Sequence, residues 1–215
     1  MNVILIGAPG SGKGTQSRYL IDKHNFIQLS TGDLLRAAIA EKSHIGLEAK
    51  GLMDQGKLVP DNVMIQLVDN YVGQNKGKSI IFDGFPRTVA QAENLELVLK
   101  KNGSSIGKVV YFRINPELLV KRLTGRRTCA KCGEIYHIET KPSSKGDICE
   151  KCGGELKQRP DDRKEVIGER LEQFSKNTGP TIDYYIKKNM LAEVDCEKDP
   201  KLILEDIEKI LGLSN

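Results

Sequence analysis

Near its amino terminus the chain reads Val3-Ile4-Leu5-Ile6-Gly7-Ala8-Pro9-Gly10-Ser11-Gly12-Lys13-Gly14-Thr15. An apolar run typical of a buried strand leads into a glycine-rich loop, and a helical pattern follows the loop. Glycines let the backbone present several N–H groups to an anion, and the helix dipole adds positive potential there. Lys13 adds a mobile positive charge. This order of strand, loop and helix predicts a site for the phosphates of a nucleoside triphosphate.

One position departs from the general phosphate-loop pattern, which has Ser or Thr directly after the lysine. Here Gly14 follows Lys13, and the hydroxyl residue is Thr15. The alternative interpretation is a glycine-rich turn that binds nothing. The several glycines, the lysine and the flanking strand and helix together favour the phosphate site.

The composition is typical of a globular protein that is long enough to bury a substantial core. The chain has 215 residues, of which 39% are hydrophobic and 29% charged, and a formal net charge of +4. This small basic excess suits small anionic ligands, and no long basic run indicates a polynucleotide partner. No apolar stretch reaches the length of about 18 residues needed to span a membrane, and no signal peptide precedes the first strand. We therefore expect a cytoplasmic protein without nucleic-acid or membrane partners.

Apolar runs predict five strands, at residues 3–6, 27–29, 79–82, 109–114 and 191–194. Helical patterns alternate with them, and capping side chains or prolines mark helix starts at Asp61, Asn115-Pro116 and Asp199-Pro200. The alternation predicts an α/β fold, a doubly wound parallel five-stranded sheet of P-loop type. Ligands of such sheets bind beyond the carboxyl ends of the strands, where residues 7–15 and 83–87 are expected to meet.

Two segments do not fit the alternation of strands and helices. Residues 30–59 carry helical signals without a core strand, and residues 126–159 are polar, contain cysteines and are rich in turn residues. We predict that both are insertions. The P-loop core then consists of residues 1–29, 60–125 and 160–215.

Four of the five cysteines form two similar turns in the second insertion, Cys129-x-x-Cys132-Gly133 and Cys149-x-x-Cys152-Gly153. Two close pairs of thiolates favour one tetrahedral zinc ion, so the insertion is predicted to be a small zinc ribbon. The four-thiolate set leaves no open position, which indicates a structural metal. The alternative is two reduced thiol pairs without a metal. His137 is interpreted as a surface or core histidine rather than a ligand.

Five motifs carry a resemblance that covers most of the chain. They are residues 7–16, Leu29-Ser30-Thr31-Gly32-Asp33-Leu34-Leu35-Arg36, Asp83-Gly84-Phe85-Pro86-Arg87, Gly125-Arg126-Arg127 and Arg159-Pro160-Asp161-Asp162. Together they resemble adenylate kinase, in the long form whose lid insertion can carry zinc. The glycine after Lys13 is a feature of that family. The resemblance implies reversible Mg²⁺-dependent phosphoryl transfer from ATP to AMP, giving two ADP. Since no pattern marks an interface, we expect a monomer.

The resemblance implies an ATP subsite at the glycine-rich loop and under the second insertion. Thr15 and Asp83 are expected near Mg²⁺, and Lys13 is expected to bridge the donor and the transferred group. A carboxylate at the end of an apolar strand is costly unless an ion or donor uses it, although a turn cap is an alternative. The implied ATP residues are Gly10, Ser11, Gly12, Lys13, Gly14, Thr15, Arg122, Arg126, Ile135, Tyr136 and Lys198.

The AMP subsite is implied in and beside the first insertion, residues 30–59. Gln91 has two interpretations, because Thr88 and Gln91 also form a capping box for the following helix. The residues alone leave both open, and the resemblance favours recognition of adenine. The implied AMP residues are Thr31, Arg36, Lys57, Leu58, Val59, Gly84, Phe85, Pro86, Arg87, Gln91, Arg159 and Arg170.

Phosphoryl transfer needs in-line placement and neutralisation of charge, and the resemblance implies that cationic side chains supply most of it. For any single arginine, a solvated surface position is the commoner interpretation. Both insertions are expected to close as lids and exclude water, which prevents hydrolysis of ATP. The implied catalytic residues are Lys13, Asp83, Arg87, Arg122, Arg126, Arg159 and Arg170.

Three other functions each fit part of the sequence less well. A GTPase usually has an Asn-Lys-x-Asp motif, and the nearest segment, Asn75-Lys76-Gly77-Lys78, lacks the aspartate. A pyrimidine monophosphate kinase is disfavoured by the long lid, whereas transfer from GTP to AMP stays open. A zinc-ribbon protein that binds nucleic acid would show strongly salt-dependent affinity. Cys196 stands where the family usually has glycine, beside the predicted adenine site of ATP.

Overall fold

The computed structural model of the protein describes residues 1–213. In the first part of the chain the elements are β1 Asn2–Gly7, α1 Lys13–His24, β2 Ile27–Ser30, α2 Thr31–Ala40, α3 His44–Asp54, α4 Asp61–Gln74, β3 Ile80–Asp83, α5 Val89–Lys101, β4 Ile106–Arg113 and α6 Pro116–Thr124. The remainder contains β5 Arg126–Cys129, β6 Ile135–His137, β7 Leu156–Lys157, a 3₁₀ turn at Pro160–Asp162, α7 Lys164–Gln173, a π-helical turn at Phe174–Thr178, α8 Gly179–Lys187, β8 Leu191–Asp195 and α9 Pro200–Leu211.

The predicted five-stranded parallel sheet is confirmed. Its strand order is β2-β3-β1-β4-β8, and every neighbouring pair is parallel. The strand β1 lies at the centre, with β3 on one side and β4 on the other, so the chain winds outward in both directions. The crevice at the carboxyl end of β1 is therefore the place where a doubly wound sheet binds its ligands.

The central strand has apolar side chains on both of its faces, because helices cover the sheet on both sides. Ile4 and Ile6 belong to one buried cluster, which also takes up side chains of α4, α5 and α8. Val3 and Leu5 belong to a second cluster, which α1 and α9 cover. A continuous apolar run in β1 is thus what a strand buried on both faces requires.

The predicted helix starts are confirmed, although Asp61 has a different role from the one predicted. Asn115 caps α6 by accepting from the Glu117 N–H at 3.0 Å, and Asp199 caps α9 by accepting from the Lys201 N–H at 2.8 Å. Asp61 starts α4 as predicted, but as its first helical residue, with Pro60 at the cap position. The side chain of Asp61 is therefore free to bond with residues of another helix.

The two segments outside the alternation have different structures. Residues 30–59 contain the end of β2 and the helices α2 and α3. Residues 126–159 contain a separate antiparallel sheet of order β6-β5-β7, with a small buried cluster of its own. The division of the chain into a core and two lids stays a prediction. Within residues 1–213, none of the helices combines the length and the apolar character that crossing a membrane requires.

Candidate functional site

The glycine-rich loop joins the end of β1 to the start of α1 at the carboxyl edge of the sheet. Gly10 and Gly12 have φ angles of 84° and 102°, which L side chains rarely adopt. Gly12 is the N-cap of α1, and within the described chain no side chain bonds to the first N–H groups of this helix. The Thr15 N–H donates to the Gly12 carbonyl oxygen at 3.0 Å, so the N–H groups before it are the ones available to an anion.

Lys13 folds back over the loop, where further charged groups surround it. Its Nζ donates to the carbonyl oxygens of Gly7 at 2.7 Å and Ala8 at 3.0 Å. Burial lowers the pKa of Lys13 to about 8; Asp83 opposes this shift, and arginines from three other parts of the chain add to it, namely Arg87, Arg170 and Arg126. Residues far apart in the sequence thus lie near enough to Lys13 to influence its charge.

These arginines are part of a larger group of positive charges, which we call the cation cluster: Lys13, Arg36, Arg87, Arg126, Arg159 and Arg170. Burial, together with the charge of the neighbouring Arg170, lowers the pKa of Arg87 to about 10. Burial also lowers the pKa of Arg159 to about 10, with Arg36 and Arg126 adding to the effect. Cations that repel one another in a partly buried space are stabilised by a bound polyanion, so the cluster suits phosphate groups.

Two aspartates hold the arginines of the cluster in position. Asp162 is fully buried, accepts from Arg126 Nε at 2.7 Å and accepts from Arg170 Nη1 at 2.8 Å. Although burial opposes ionisation, Arg170 and other guanidinium groups keep the pKa of Asp161 below its ordinary value. Sequence reasoning gave these residues no role. The signal available was the acidic pair within the Arg159-Pro160-Asp161-Asp162 motif, which does not show that the pair bonds Arg126 and Arg170.

The predicted acceptor residues Thr31, Gly84 and Arg87 lie in direct contact. The carbonyl oxygen of Gly84 accepts from Thr31 Oγ1 at 3.0 Å and from Arg87 Nε at 2.8 Å. Gly84 has a φ of 78°, and a Cβ there would lie 3.2 Å from both Thr31 Oγ1 and Arg87 Nη2. A glycine is therefore needed where these two side chains converge. Arg36 approaches from α2 and pairs with Asp33.

Asp83 lies next to the glycine-rich loop at the end of β3. A Cβ at Gly14 would be 3.8 Å from Asp83 Oδ2. Burial raises the pKa of Asp83, and Lys13 opposes this shift. Gln28 Nε2 donates to the same carboxylate oxygen at 3.0 Å. A carboxylate at this place is a suitable oxygen ligand for a metal ion that accompanies phosphates. The contribution of Gln28 had no sequence signal, because it depends on the pairing of β2 with β3.

The antiparallel sheet of residues 126–159 covers the loop. Arg18 of α1 forms an ion pair with Glu134 and donates to the Gly133 carbonyl oxygen at 2.7 Å. At the same edge, Ile135 Cδ1 is 3.6 Å from where a Cβ of Gly14 would be. The sheet thus contacts α1 through Arg18 and lies beside the loop at Gly14. Sequence reasoning did not find the role of Arg18.

Other predicted donor-site residues lie farther from these contacts. Tyr136 is 4% exposed and packs inside the small sheet, where its hydroxyl accepts from the Glu150 N–H at 3.0 Å. Lys198 is exposed and donates to Asp206 at 2.7 Å. Arg122 donates to the Cys196 carbonyl oxygen at 3.0 Å and so holds the backbone after β8. Ser11 is buried in the loop, and Gly10, Gly12, Gly14 and Thr15 are partly buried.

Further predicted acceptor-site residues line the start of α4 and the turn before α5. Val59 and Phe85 belong to the buried core, at 7% and 1% exposure, and Pro86 is also buried. Leu58 is partly buried and Lys57 is exposed. Gln91 is buried at the first turn of α5. Phe85 and Val59 therefore pack in the core that underlies the acceptor site.

The cysteines 129, 132, 149 and 152 form a compact group whose sulfur atoms all lie within 4.8 Å of one another. Cys129 and Cys152 are 3.4 Å apart at sulfur, and Cys132 and Cys149 are 3.7 Å apart. A tetrahedral zinc site with Zn–S bonds of about 2.3 Å has sulfur–sulfur edges of about 3.8 Å, so the group has the size of such a site. His137 is not in the group; its Nδ1 accepts from the Glu139 and Thr140 N–H groups.

Comparisons with known proteins agree with this geometry. A family model described as adenylate kinase matches residues 5–190. The chain is 45% identical over 213 residues to the adenylate kinase of Bacillus cytotoxicus, covering 99% of each chain. It is 45% identical to the adenylate kinase of Bacillus pumilus, covering 99% of this chain and 98% of that protein. The adenylate kinase of Bacillus cereus strain B4264 is 44% identical, with 99% of each covered. The chain belongs to the adenylate kinase family.

Proposed function

We propose that the cation cluster holds ATP and AMP end to end while a phosphoryl group passes between them. As a member of its family, the chain is an ATP:AMP phosphotransferase that forms two ADP by reversible, Mg²⁺-dependent, direct in-line transfer. The observation that carries the placement of the reaction is the convergence of Arg87, Arg126 and Arg170 around Lys13. This is where the charge of two sets of phosphates needs to be neutralised.

The donor nucleotide binds at the glycine-rich loop and beneath the small sheet. The uncapped start of α1 supports this assignment, as does the contact of Ile135 with the loop. Because the Tyr136 side chain points into the small sheet, only its backbone is available to ATP. The proposed ATP residues are Gly10, Ser11, Gly12, Lys13, Gly14, Thr15, Arg122, Arg126, Ile135, Tyr136 and Lys198.

The acceptor nucleotide binds between residues 30–59 and the turn before α5. Arg36 and Arg87 are forked donors suited to a phosphate monoester, and Thr31 lies beside them. Arg159 joins this side because it reaches within 4.0 Å of Asp33. The proposed AMP residues are Thr31, Arg36, Lys57, Leu58, Val59, Gly84, Phe85, Pro86, Arg87, Gln91, Arg159 and Arg170.

The catalytic residues act by charge and position, without a covalent intermediate. Lys13, Arg87, Arg122, Arg126, Arg159 and Arg170 offset the negative charge of the phosphate oxygens during transfer. Asp83 and Thr15 would hold Mg²⁺, which would offset part of the charge of bound ATP. Asp162 accepts hydrogen bonds from Arg126 and Arg170 and so holds both arginine side chains in one rotamer. Closure of the two insertions, 30–59 and 126–159, over the core excludes water.

The four cysteines hold one structural Zn²⁺ per chain. Their spacing matches a four-thiolate site, and the positive φ angles of Gly133 and Gly153, 72° and 71°, close each turn behind a cysteine pair. A sheet as small as this buries too little surface to be stable without such a link. Reduced metal-binding thiols favour a cytoplasmic location. We propose that the chain acts as a monomer on free nucleotides and needs no polynucleotide.

A substrate panel tests this function. ATP with Mg²⁺ is combined with AMP, CMP, UMP or GMP, and GTP replaces ATP as donor in a parallel series. We expect ADP to form rapidly with AMP and weakly with the other acceptors, because the acceptor site recognises adenine. Absence of ADP from ATP and AMP would overturn the proposal. The rate with GTP in place of ATP measures how strongly the donor site discriminates between adenine and guanine.

The pH dependence of the free enzyme should follow Lys13. Because its pKa is lowered to about 8, Lys13 is charged below pH 8 and loses its proton above it. We expect kcat/KM for ATP to fall as the pH rises through about 8. At saturating ATP the bound phosphates favour the charged lysine, so kcat should persist to higher pH. A kcat/KM for ATP that stays constant to pH 9.5 would contradict this assignment.

The same shift predicts a pH effect on stability in the absence of nucleotide. The pKa of Lys13 is below its value of 10.5 in the unfolded chain, so the folded state binds fewer protons between these values. The cost of burying the charge is fully present below pH 8 and is relieved as the pH rises from 8 towards 10.5. Lys13→Met should therefore remove this component of the pH dependence in thermal melts.

A further inference from the structure

The side-chain amide of Gln91 is bonded at both ends. Gln91 lies in the first turn of α5 and is 2% exposed. Its Oε1 accepts from the Arg87 backbone N–H at 2.7 Å, and its Nε2 donates to Asp61 Oδ1 at 2.6 Å. The amide is thus fixed between the turn before α5 and the start of α4.

Only one orientation of this amide is compatible with its partners. A backbone N–H only donates hydrogen bonds, and a carboxylate only accepts them. Turning the amide over would place Nε2 against the Arg87 N–H and Oε1 against the Asp61 carboxylate. Two unsatisfied contacts in a buried position are strongly unfavourable. The Arg87 N–H and the Asp61 carboxylate together therefore determine which end of the Gln91 amide faces in which direction.

Asp61 is itself held by the cap of α5. Its Oδ2 accepts from Thr88 Oγ1 at 2.9 Å. Thr88 Oγ1 also accepts from the Gln91 N–H at 3.1 Å, so the single hydroxyl proton is directed to Asp61. The three side chains form a closed set of bonds between the starts of α4 and α5. The carboxylate of Asp61 consequently has little freedom to rotate.

The geometry points to Asp61 as a positioning residue that turns the Gln91 amide to recognise a 6-aminopurine in the acceptor nucleotide. The inference rests on the proposed function, in which Gln91 contacts the acceptor base. After its two bonds the amide keeps one N–H and one lone pair, in a fixed order. These complement the N1 acceptor and 6-amino donor of adenine. Hypoxanthine presents a 6-oxo acceptor and an N1–H donor, and would need the amide turned over.

The test compares AMP and IMP as acceptors for Asp61→Leu. Leucine has a similar volume but no acceptor, so only the Arg87 N–H still holds the amide, and the turned-over orientation no longer places Oε1 against a carboxylate. We expect the ratio of kcat/KM for AMP to that for IMP to fall about tenfold or more, with a higher KM for AMP and an unchanged KM for ATP. Asp61→Asn should keep most of the discrimination, because its Oδ1 still accepts from Gln91 Nε2. If Asp61 only links α4 to α5, Asp61→Leu would lower the melting temperature and leave the ratio of kcat/KM values unchanged. That result would overturn the inference.

A matched control and a second measurement complete the experiment. Asp69→Leu makes the same change at the surface of the same helix, α4, and should alter neither acceptor constant. In the wild-type protein, the side-chain NH₂ protons of Gln91 should exchange with solvent much more slowly than those of the exposed Gln66. Equal exchange rates would overturn the inference even if Asp61→Leu fails to fold. A wild-type protein that forms no ADP from AMP would instead refute the proposed function.

Discussion

Lys13→Ala should lower kcat for ADP formation by about 10³-fold or more, which is the usual loss when a preorganised charge at the transferred phosphoryl group is removed. Lys13 is the mobile cation at the centre of the cation cluster, and no neighbouring arginine bonds the loop carbonyls that Lys13 contacts. The melting temperature should stay constant or rise, because the lowered pKa of Lys13 shows that its buried charge is costly to the folded protein. A coupled assay and a thermal melt on the same sample measure both effects.

The control is Lys101→Ala, which removes an exposed lysine that pairs with Asp69 at the surface. It should change neither the rate nor the melting temperature appreciably, since exposed ion pairs contribute little. If Lys13→Ala keeps a kcat within tenfold of the wild type, the lysine is a loop-stabilising residue and the proposed centre of the reaction is wrong. A large drop in melting temperature would equally assign it to structure.

Cys149→Ser should lower the melting temperature by about 10 °C or more, since a structural zinc contributes several kcal/mol and each kcal/mol shifts a protein of this size by about 2–4 °C. Cys149 is fully buried in the small sheet, next to Tyr136 and the other sulfurs. Zinc content, measured after dialysis, should fall from one ion per chain to a small fraction. Below its melting transition the variant should still transfer phosphoryl groups.

The matched control is Cys196→Ala at the fifth cysteine, which lies in the core beside β8 and outside the sulfur group. Burial raises the pKa of its thiol to about 12, so Cys196 is an unreactive, buried thiol. The control should keep one zinc per chain. A Cys149→Ser protein that melts like the wild type yet has lost its chemistry would show that the metal does more than hold the sheet together.

The fold was predictable because its signals are local. The five apolar runs coincide with β1, β2, β3, β4 and β8. The run is clearest in the central strand β1, because a strand buried on both faces needs continuous apolar sequence. The bounds differ most at β4, which begins at Ile106 where the sequence prediction starts at 109. Gly107 and Lys108 interrupt the apolar pattern there, but pairing with β1 extends the strand.

The candidate site was only partly predictable, and the reasons differ between residues. Most predicted cations could be named because they stand in motifs. Asp162 and Gln28 were missed because their partners come from distant segments. Asp61 was interpreted as part of a helix start, and the structure adds that its carboxylate bonds to Thr88 and Gln91 of another helix. A sequence motif identifies a residue, but it does not predict which distant residues that side chain bonds to.

Sequence information alone was sufficient for the glycine-rich loop, the alternation of strands and helices, and the paired cysteines, since each depends on residues adjacent in the chain. The tertiary structure was needed to bring Lys13, Arg87, Arg126 and Arg170 together, to turn Tyr136 into the small sheet and to orient the amide of Gln91. These features depend on which buried donor faces which acceptor across packed elements. Such pairings are decided by the need to satisfy polar groups away from water, and that need arises only when the chain is folded.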